Sequence, residues 1–534
     1  MKLNNRIMAA AFALIVLTTA GLFGQLDLYK VPKLTPVSGD RNASIAANNR
    51  GDIMVVYTTT TAGATFTFRA HGGTTWTAPK AIPSQNYSDY IRSVLYWTDV
   101  TPTADNSFHA IWAVDSHLSE GYGLYYAAFN PTSSQWTAPV QLLTGRIGEP
   151  KLITNQLTDE LILIWDWYLE SGATKNKDVF IKVRKSGGWQ PEVNISQLVT
   201  DSSDIVDAPH GQLAETNTAV AVDESDGYIY LAYKEDQYVQ ELDDAGKEPW
   251  ELRIHVVLLD PTYKMVWNEQ VTANYTGFHF LPSIAALNGK AIVMFAWPQE
   301  VSYNYIVFTR EGQKLTYDSH VLEDNVMARV PTIVNRWYAW HNKIHAHGDE
   351  IVATYTDDAL YTTMRLMKNW LWKSGPIDLS RGQREFYYPF DSYADPKIGI
   401  LTAFHNFHEA SDDDAREELA EICVTIYHYP KAVVHSATNI TIAPQVERSF
   451  FQNILLNKVG WQNHQLNINR GVTVSTWRVY RKLKTEAISS YVRIGETDGA
   501  TYFFVDSKSV PAVNPYDYFV TGVDASGNES PLPK

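Results

Sequence analysis

Cysteine is all but missing from this chain: one residue in 534, Cys423. A lone thiol cannot close an internal disulfide, so stability has to come from packing. Charge is sparse too, at 19% of residues, and the net charge of −15 comes without any Lys/Arg block. The basic footprint that nucleic acid or an anionic membrane surface needs is therefore lacking, and neither is an expected partner. Long apolar runs are confined to the start of the chain. There is no G-x-S-x-G elbow, no phosphate loop and no dinucleotide fingerprint, which disfavours hydrolase-fold, nucleotide and nicotinamide chemistry.

What the chain does have is aromatic, with 31 Tyr and 16 Trp. That composition fits a β-rich, well-packed protein, and the length exceeds one ordinary core. The first residues, MKLNNRIMAAAFALIVLTTAGLFGQ, place Lys2 and Arg6 before an apolar run and small residues before Gln25. They read as a secretory signal peptide, residues 1–24, cut near Gly24. An uncleaved membrane anchor is the competing reading, because the apolar run approaches spanning length. With the signal removed, no membrane insertion is expected.

A pattern then recurs: a turn, a few aliphatic residues, an aromatic and a polar exit. Its copies are RGDIMVVYTTT, DNSFHAIWAVD, TDELILIWDWY, DGYIYLAYKED, NGKAIVMFAWP, GDEIVATYTDD and PKIGILTAFHNF. Their aromatics are Tyr57, Trp112, Trp165, Tyr233, Phe295, Tyr355 and Phe404. Short apolar runs between Gly, Asp and Asn are the mark of buried strands between tight turns. A shorter strand precedes most copies, and a third leads to a Trp and often a Pro, as at Trp76, Trp136 and Trp189. Four strands per unit, repeated sevenfold, describe a β-propeller. The last unit lacks its Trp-x-x-Pro strand, which LYKVPKLTPV, residues 28–37, would supply. Arg50-Gly51-Asp52 spells an adhesion tripeptide but occupies the turn position of its repeat, so a turn is the expected role.

FRAHGGTTWTAP resembles the Asp-box of sialidase-like propellers, with the Gly-x-Thr-Trp end at Gly73 to Trp76 and His71 where that family has Asp. The resemblance implies a sialidase-like (bacterial neuraminidase repeat) propeller over residues 25–433. Asp-boxes are structural and imply no catalytic residue. From Val434 the rhythm changes. ILLNKVGWQNHQ, TWRVYRKLK, TYFFVDSKSV and YDYFVTGVDASGNESP resemble strands of a fibronectin type III domain, with Trp461 as its inner tryptophan and Tyr518 as its late-strand tyrosine. The expected fold is thus all-β: a seven-bladed propeller and a C-terminal β-sandwich over residues 434–534.

In such a ring the polar residues after each repeat aromatic share one rim with those preceding each blade. The binding candidates on this rim are Trp167, Tyr168, Tyr87, Arg92, Arg336, Asp357 and Tyr387. Planar aromatics stack on sugar faces, while carboxylates and Arg read hydroxyls and acidic sugars. Catalytic candidates are Arg146, Arg329, Arg384, His279, Tyr275, Asp166 and Glu235. A sialidase would need an arginine cluster with a Tyr–Glu pair and an Asp, and the family's Arg-Ile-Pro is absent. A uronate lyase would need a neutralising cation and a Tyr or His base.

His405-Asn-Phe-His408-Glu409 lacks the H-E-x-x-H spacing, and the three Asp after Ser411 read as a solvated helix start, so no metal or cofactor is expected. In RWYAWHNKIHAH an extended chain would put His341, His345 and His347 on one face. The leading expectation is a secreted protein that binds extracellular carbohydrate or another surface polymer on this rim without catalysis. A sialidase-like hydrolase or uronate lyase, and an extracellular assembly component, are the alternatives.

Overall fold

The computed structural model describes residues 26–30, 40–59, 63–83, 95–114, 123–145, 147–148, 150–171, 174–195, 218–238, 250–272, 280–297, 302–318, 326–329, 342–357, 361–372, 376–380, 391–395, 397–406, 421–428, 434–448, 453–469, 471–507 and 515–532. The signal segment, residues 1–24, lies outside them. Among the described residues the fold is all-β and antiparallel, with one short α-helix, Gln465–Asn469, and one 3-10 turn, Ile488–Ser490. No helix among them is long and apolar enough to cross a membrane.

Seven sheets of four or five strands follow one another along the chain; in each, three strands pair in sequence order and the outer strand or strands pair with the third. Their first strands are Asp40–Ala47, Leu95–Pro102, Lys151–Asn155, Thr218–Val222, Phe280–Leu287, Asn342–His347 and Asp391–Asp395. Each second strand carries one repeat aromatic, and all seven of these aromatics are buried. Tight turns join first to second strands. In the fifth sheet Asn288 and Gly289 both take positive φ, 54° and 75°, as the two-residue hairpin turn favoured by right-handed strand twist requires.

The sheets stack face to face, and each interface has its own apolar core. Met54, Val56, Phe108 and Trp112 fill the first interface. Ile111, Leu163 and Trp165 fill the second, and Ile164, Ile181 and Val257 the third. Phe295 and Tyr230 meet in the fourth, Tyr303 and Tyr355 in the fifth, and Met364 and Ile400 in the sixth. The seventh, with Val55, Tyr57, Leu401 and Val424, joins the last sheet back to the first. The first strands neighbour one another in the same cyclic order. Burying both faces of every sheet explains why the second strands read as continuous apolar runs rather than alternating ones. The arrangement is propeller-like.

The last sheet is completed by the start of the chain: Leu26–Lys30 pairs antiparallel with Glu421–His428, Leu26 opposite Tyr427. The sequence places this strand in residues 28–37. The observed strand begins two residues earlier and ends at Lys30, ahead of Pro32, which cannot donate to a ladder.

The tryptophans of the outer strands lean on the preceding sheet. Trp136 meets Phe66 edge-on at 5.1 Å, Trp189 meets Tyr126 at 5.4 Å, and Trp372 meets Tyr305 at 5.7 Å. Arg50-Gly51-Asp52 is a turn: Gly51 has φ 86°, and the buried Asp52 carboxylate accepts from Asn48 Nδ2 at 2.9 Å and from His71 N at 2.9 Å. An aspartate so engaged cannot be offered to a receptor.

The C-terminal segment forms two three-stranded sheets over one core. Thr438–Arg448, Asn453–Gln462 and Phe503–Asp506 make one, and Val492–Asp498, Thr476–Leu483 and Tyr516–Val523 the other. Trp461 is buried as expected, but Trp477 is the fully enclosed tryptophan, meeting it edge-on at 6.3 Å. Tyr518 donates to Asp506 Oδ2 at 2.8 Å and accepts from Asn457 Nδ2 at 3.0 Å. This segment touches the ring of sheets through its helix. Asn469 Nδ2 donates to the Gln156 carbonyl at 2.6 Å, and its own carbonyl accepts from Asn49.

Candidate functional site on the axis

The first strands enclose a cavity of ≈ 290 Å³. Pairing within the sheets identifies one level of it. The residue before each repeat aromatic lies opposite Ser44, Asp99, Lys151, Ala219, Ser283, Lys343 and Asp391, in that ring order. Six of these seven are polar, and all line the cavity. Lys151 and Asp391 open their strands, so the level lies near the end where the chain enters each sheet.

Half of the ring is a hydrogen-bonded arc. Asp391 Oδ2 accepts from Ile45 N at 3.0 Å, Ser44 Oγ from Val100 N at 3.2 Å, and Asp99 Oδ2 from Leu152 N at 2.7 Å. Each acceptor thus satisfies an amide of the next sheet, where no ladder exists to do so. Ser44 Oγ also lies 2.9 Å from Asp99 Oδ1 and 2.8 Å from Asp391 Oδ2. Lys343 Nζ stands 3.4 Å from Asp391 Oδ1. Burial, then the neighbouring Asp391, push the Asp99 carboxyl above the usual carboxylate range. Burial pushes Asp391 up as well, but Lys343, Lys151 and the bonds from Ile45 N and Ser44 outweigh it and hold its carboxyl low. The same surroundings thus push the two adjacent acids in opposite directions.

The other half holds Lys151, Ala219, Ser283 and Lys343. Ser283 donates to the Asn342 side chain, and Asn342 Nδ2 donates to the Leu281 carbonyl at 2.8 Å. One step further along its strand, His345 Nε2 sits 2.7 Å from Ser392 Oγ, and burial lowers its pKa to about 4, leaving the ring neutral. His347 is buried and likewise lowered to about 4 by burial. The expected face of three histidines therefore keeps two members in neutral, packed roles, while His341 lies outside the described residues.

Of the sequence candidates, Tyr87, Arg92, Arg146, Tyr275, His279, Arg336, Arg384 and Tyr387 lie outside the described residues, as do His408 and residues 411–420. Trp167 and Tyr168 continue the second strand of the third sheet opposite Asp178 and Lys177, and Arg329 ends a strand opposite Ser302.

Asp166 is buried at the top of that same second strand, two residues past Ile164, the partner of Lys151. Gly148 donates to its carbonyl at 3.0 Å, and a Cβ on Gly148 would fall 1.7 Å from its Oδ1. Only glycine lets the entering chain pass so close. Asp357 follows the sixth repeat aromatic by two residues, and its carboxylate accepts from Tyr361 N at 3.0 Å and from Thr363 Oγ1 at 3.0 Å.

Glu235 lies past the part of the second strand that pairs with the first in the fourth sheet, opposite Arg253 on the third strand, with Oε2 2.6 Å from His255 Nε2. His255 stacks on Tyr233 at 5.1 Å, and the adjacent Arg253 donates to the Thr272 carbonyl at 2.9 Å. Among the described residues no group of three or more His, Cys, Asp and Glu side chains could hold a metal ion.

The ring residues Asp99, Lys151, Lys343 and Asp391 do not figure among the sequence candidates, which follow the repeat aromatics or precede the first strands. Counting back symmetrically through each hairpin turn from the repeat aromatic would have found them, because antiparallel pairing fixes the opposite residue once the turn is known.

No family model matches the sequence, and no curated protein matches it. Some solved structures are similar to it. They include the α-L-arabinanase of Penicillium chrysogenum (12% identity, 64% of this chain and 96% of that one, TM-score 0.39). A polysaccharide lyase is similar at 9% identity over 73% of this chain and 90% of its own, TM-score 0.44. The α-L-arabinofuranosidase of Fusarium graminearum is similar at 10% over 73% and 93%, TM-score 0.41. At these values the likeness carries no argument about activity; the propeller-like description rests on the sheets and their cores.

Proposed function

We propose that this chain is a secreted binding protein for extracellular carbohydrate or another hydroxyl-rich surface polymer, which it takes at the axial mouth of a seven-bladed β-propeller. In this reading residues 1–24 are a signal peptide, 25–433 the propeller and 434–534 a fibronectin type III-like sandwich serving as spacer or second module. The observation that carries it is the polar ring of Ser44, Asp99, Lys151, Ser283, Lys343 and Asp391 in the cavity enclosed by the first strands, whose lining mixes polar side chains such as Thr98, Thr154 and His345 with apolar ones. Convergent donors and acceptors in a concave site suit a ligand rich in hydroxyls. Trp167, Tyr168, Tyr87 and Tyr387 are proposed to flank this mouth as stacking platforms, with Arg92 and Arg336 beside them.

A second reading, a carbohydrate-active enzyme, is favoured by the Glu235–His255 contact, a carboxylate orienting an imidazole as in acid–base pairs. One screen separates the two. The purified chain is presented with a panel of polysaccharides while retention and released product are read together. Retention without product supports binding. Product, whether reducing ends or unsaturated uronate absorbance, replaces it with the enzyme reading, and silence on both sinks the carbohydrate assignment.

A further inference from the structure

The tautomer of the neutral histidine on the axial cavity follows from counting hydroxyl hydrogens. His345 Nε2 lies 2.7 Å from Ser392 Oγ, and Ser392 Oγ lies 2.8 Å from Thr354 Oγ1. Thr354 Oγ1 in turn donates to the Lys343 carbonyl at 3.3 Å. Each hydroxyl has a single hydrogen. Thr354 uses its own on Lys343, so Ser392 donates to Thr354, and His345 Nε2 donates to Ser392. The Ser392 backbone carbonyl works in the same sense, favouring a ring N–H that faces it. In a neutral imidazole the second nitrogen is then a bare acceptor. That atom, Nδ1, makes no hydrogen bond to a described side chain. The ring lies deep in the molecule yet keeps some exposed surface, and it lines the cavity of the first strands beside Ser392.

We propose that His345 Nδ1 is the atom of the axial cavity that accepts a ligand hydroxyl, its lone pair held there by the relay through Ser392 and Thr354. This rests on the axial mouth being the ligand site, and it makes an uncharged hydroxyl the group that is recognised. The charged and titratable groups facing the ring are Asp391 of the next sheet, with Lys343 and His347 of its own strand. Burial outweighs them and keeps the imidazole neutral down to about pH 4. The lone pair therefore survives from neutral pH to that point, and hydroxyl acceptance is lost below it, when Nδ1 takes up a proton.

The test is nitrogen NMR of the full chain labelled with nitrogen-15 histidine, the His345 signals being those missing from His345→Phe. Nδ1 is expected at the downfield position of an unprotonated ring nitrogen, and to move upfield when D-galactose or glycerol is added. In affinity electrophoresis, His345→Phe should bind a polysaccharide that the parent retains about tenfold more weakly, the value of one hydrogen bond lost in a buried site. Ser392→Ala removes the relay, so its Nδ1 signal should shift toward the protonated position and its retention should weaken less. Should His345→Phe fail to fold, His345→Gln supplies the assignment, and the parent's own spectrum decides.

A proton on Nδ1 at neutral pH reverses the relay and overturns the proposal. So does an Nδ1 signal indifferent to both polyols, or a His345→Phe chain that retains polysaccharide as well as its parent. Polysaccharide still retained in either case leaves the broader carbohydrate reading standing. A response of Nδ1 to galactose or glycerol, with no polysaccharide retained, keeps the acceptor and removes polysaccharide as its occupant.

Discussion

Asp52 is nearly enclosed, and its two carboxylate oxygens hold the first hairpin and the His71 amide together. Asp52→Ala would leave those donors buried without acceptors, a cost of about 1–3 kcal/mol. Denaturant unfolding should show that loss, while attachment of integrin-bearing cells to immobilised protein should be nil before and after the change. Attachment that depends on Asp52 would contradict the turn assignment. Gly148 makes a similar case. Any side chain there meets the buried Asp166 carboxyl, so Gly148→Ala is expected to lower the melting temperature and to disturb the entry to Lys151. A Gly148→Ala chain as stable as its parent would mean that Asp166 can swing away. Residue roles of this kind were partly legible beforehand. The turn at Gly51 was plain from its repeats, whereas Asp357, expected on a binding rim, proved to be tied into its own loop by two hydrogen bonds that no spacing rule announces.

At the scale of elements the repeat carried most of the fold. The seven aromatic-centred runs became the seven second strands because apolar residues in an unbroken run need cover on both faces, which stacked sheets provide. Less visible was the outer edge, where strands of two or three residues, such as Gln135–Trp136, are marked by little more than a tryptophan. Those tryptophans contribute as inter-sheet pins, so Trp189→Ala should cost about 3 kcal/mol, measured by denaturant midpoint. A change within a few tenths would deny that role. The closing strand is a second test. Removing residues 1–30 rather than 1–25 strips Leu26–Lys30 from the last sheet and bares Glu421–His428 as an edge. Lower stability and concentration-dependent aggregation are expected by light scattering, and equal behaviour of the two truncations would show the strand to be dispensable. The axial ring escaped sequence reading for a different reason. Its members sit within strands, where isolated charges look like surface residues until pairing shows which ones meet.

For the whole molecule, acidity is the natural probe of these interiors. His109, His345 and His347 are each held to about 4 by burial, in His109 with help from Arg184. Their folded pKa values lie below the unfolded value near 6.5, so between about 6.5 and 4 the unfolded chain binds protons that the folded one refuses. Stability should therefore fall with pH through that window, by about 3 kcal/mol for each histidine as an upper bound. Asp395, raised to about 6 by burial, works the other way, losing its contribution as pH rises through 6. Unfolding midpoints should drop between neutral pH and pH 4 and drop less in His109→Gln. A flat profile would mean these imidazoles are charged in the fold.

The short helix of the C-terminal segment has a bearing on all of this. Asn469 ties Asn49 of the first sheet to Gln156 of the third, both at the turn end of the axis and opposite the charged ring. If the axial mouth binds a polymer as proposed, a helix standing over the opposite end favours a terminus or a protruding branch over a threaded chain, so fragmenting a polysaccharide at constant mass should raise the number of molecules captured.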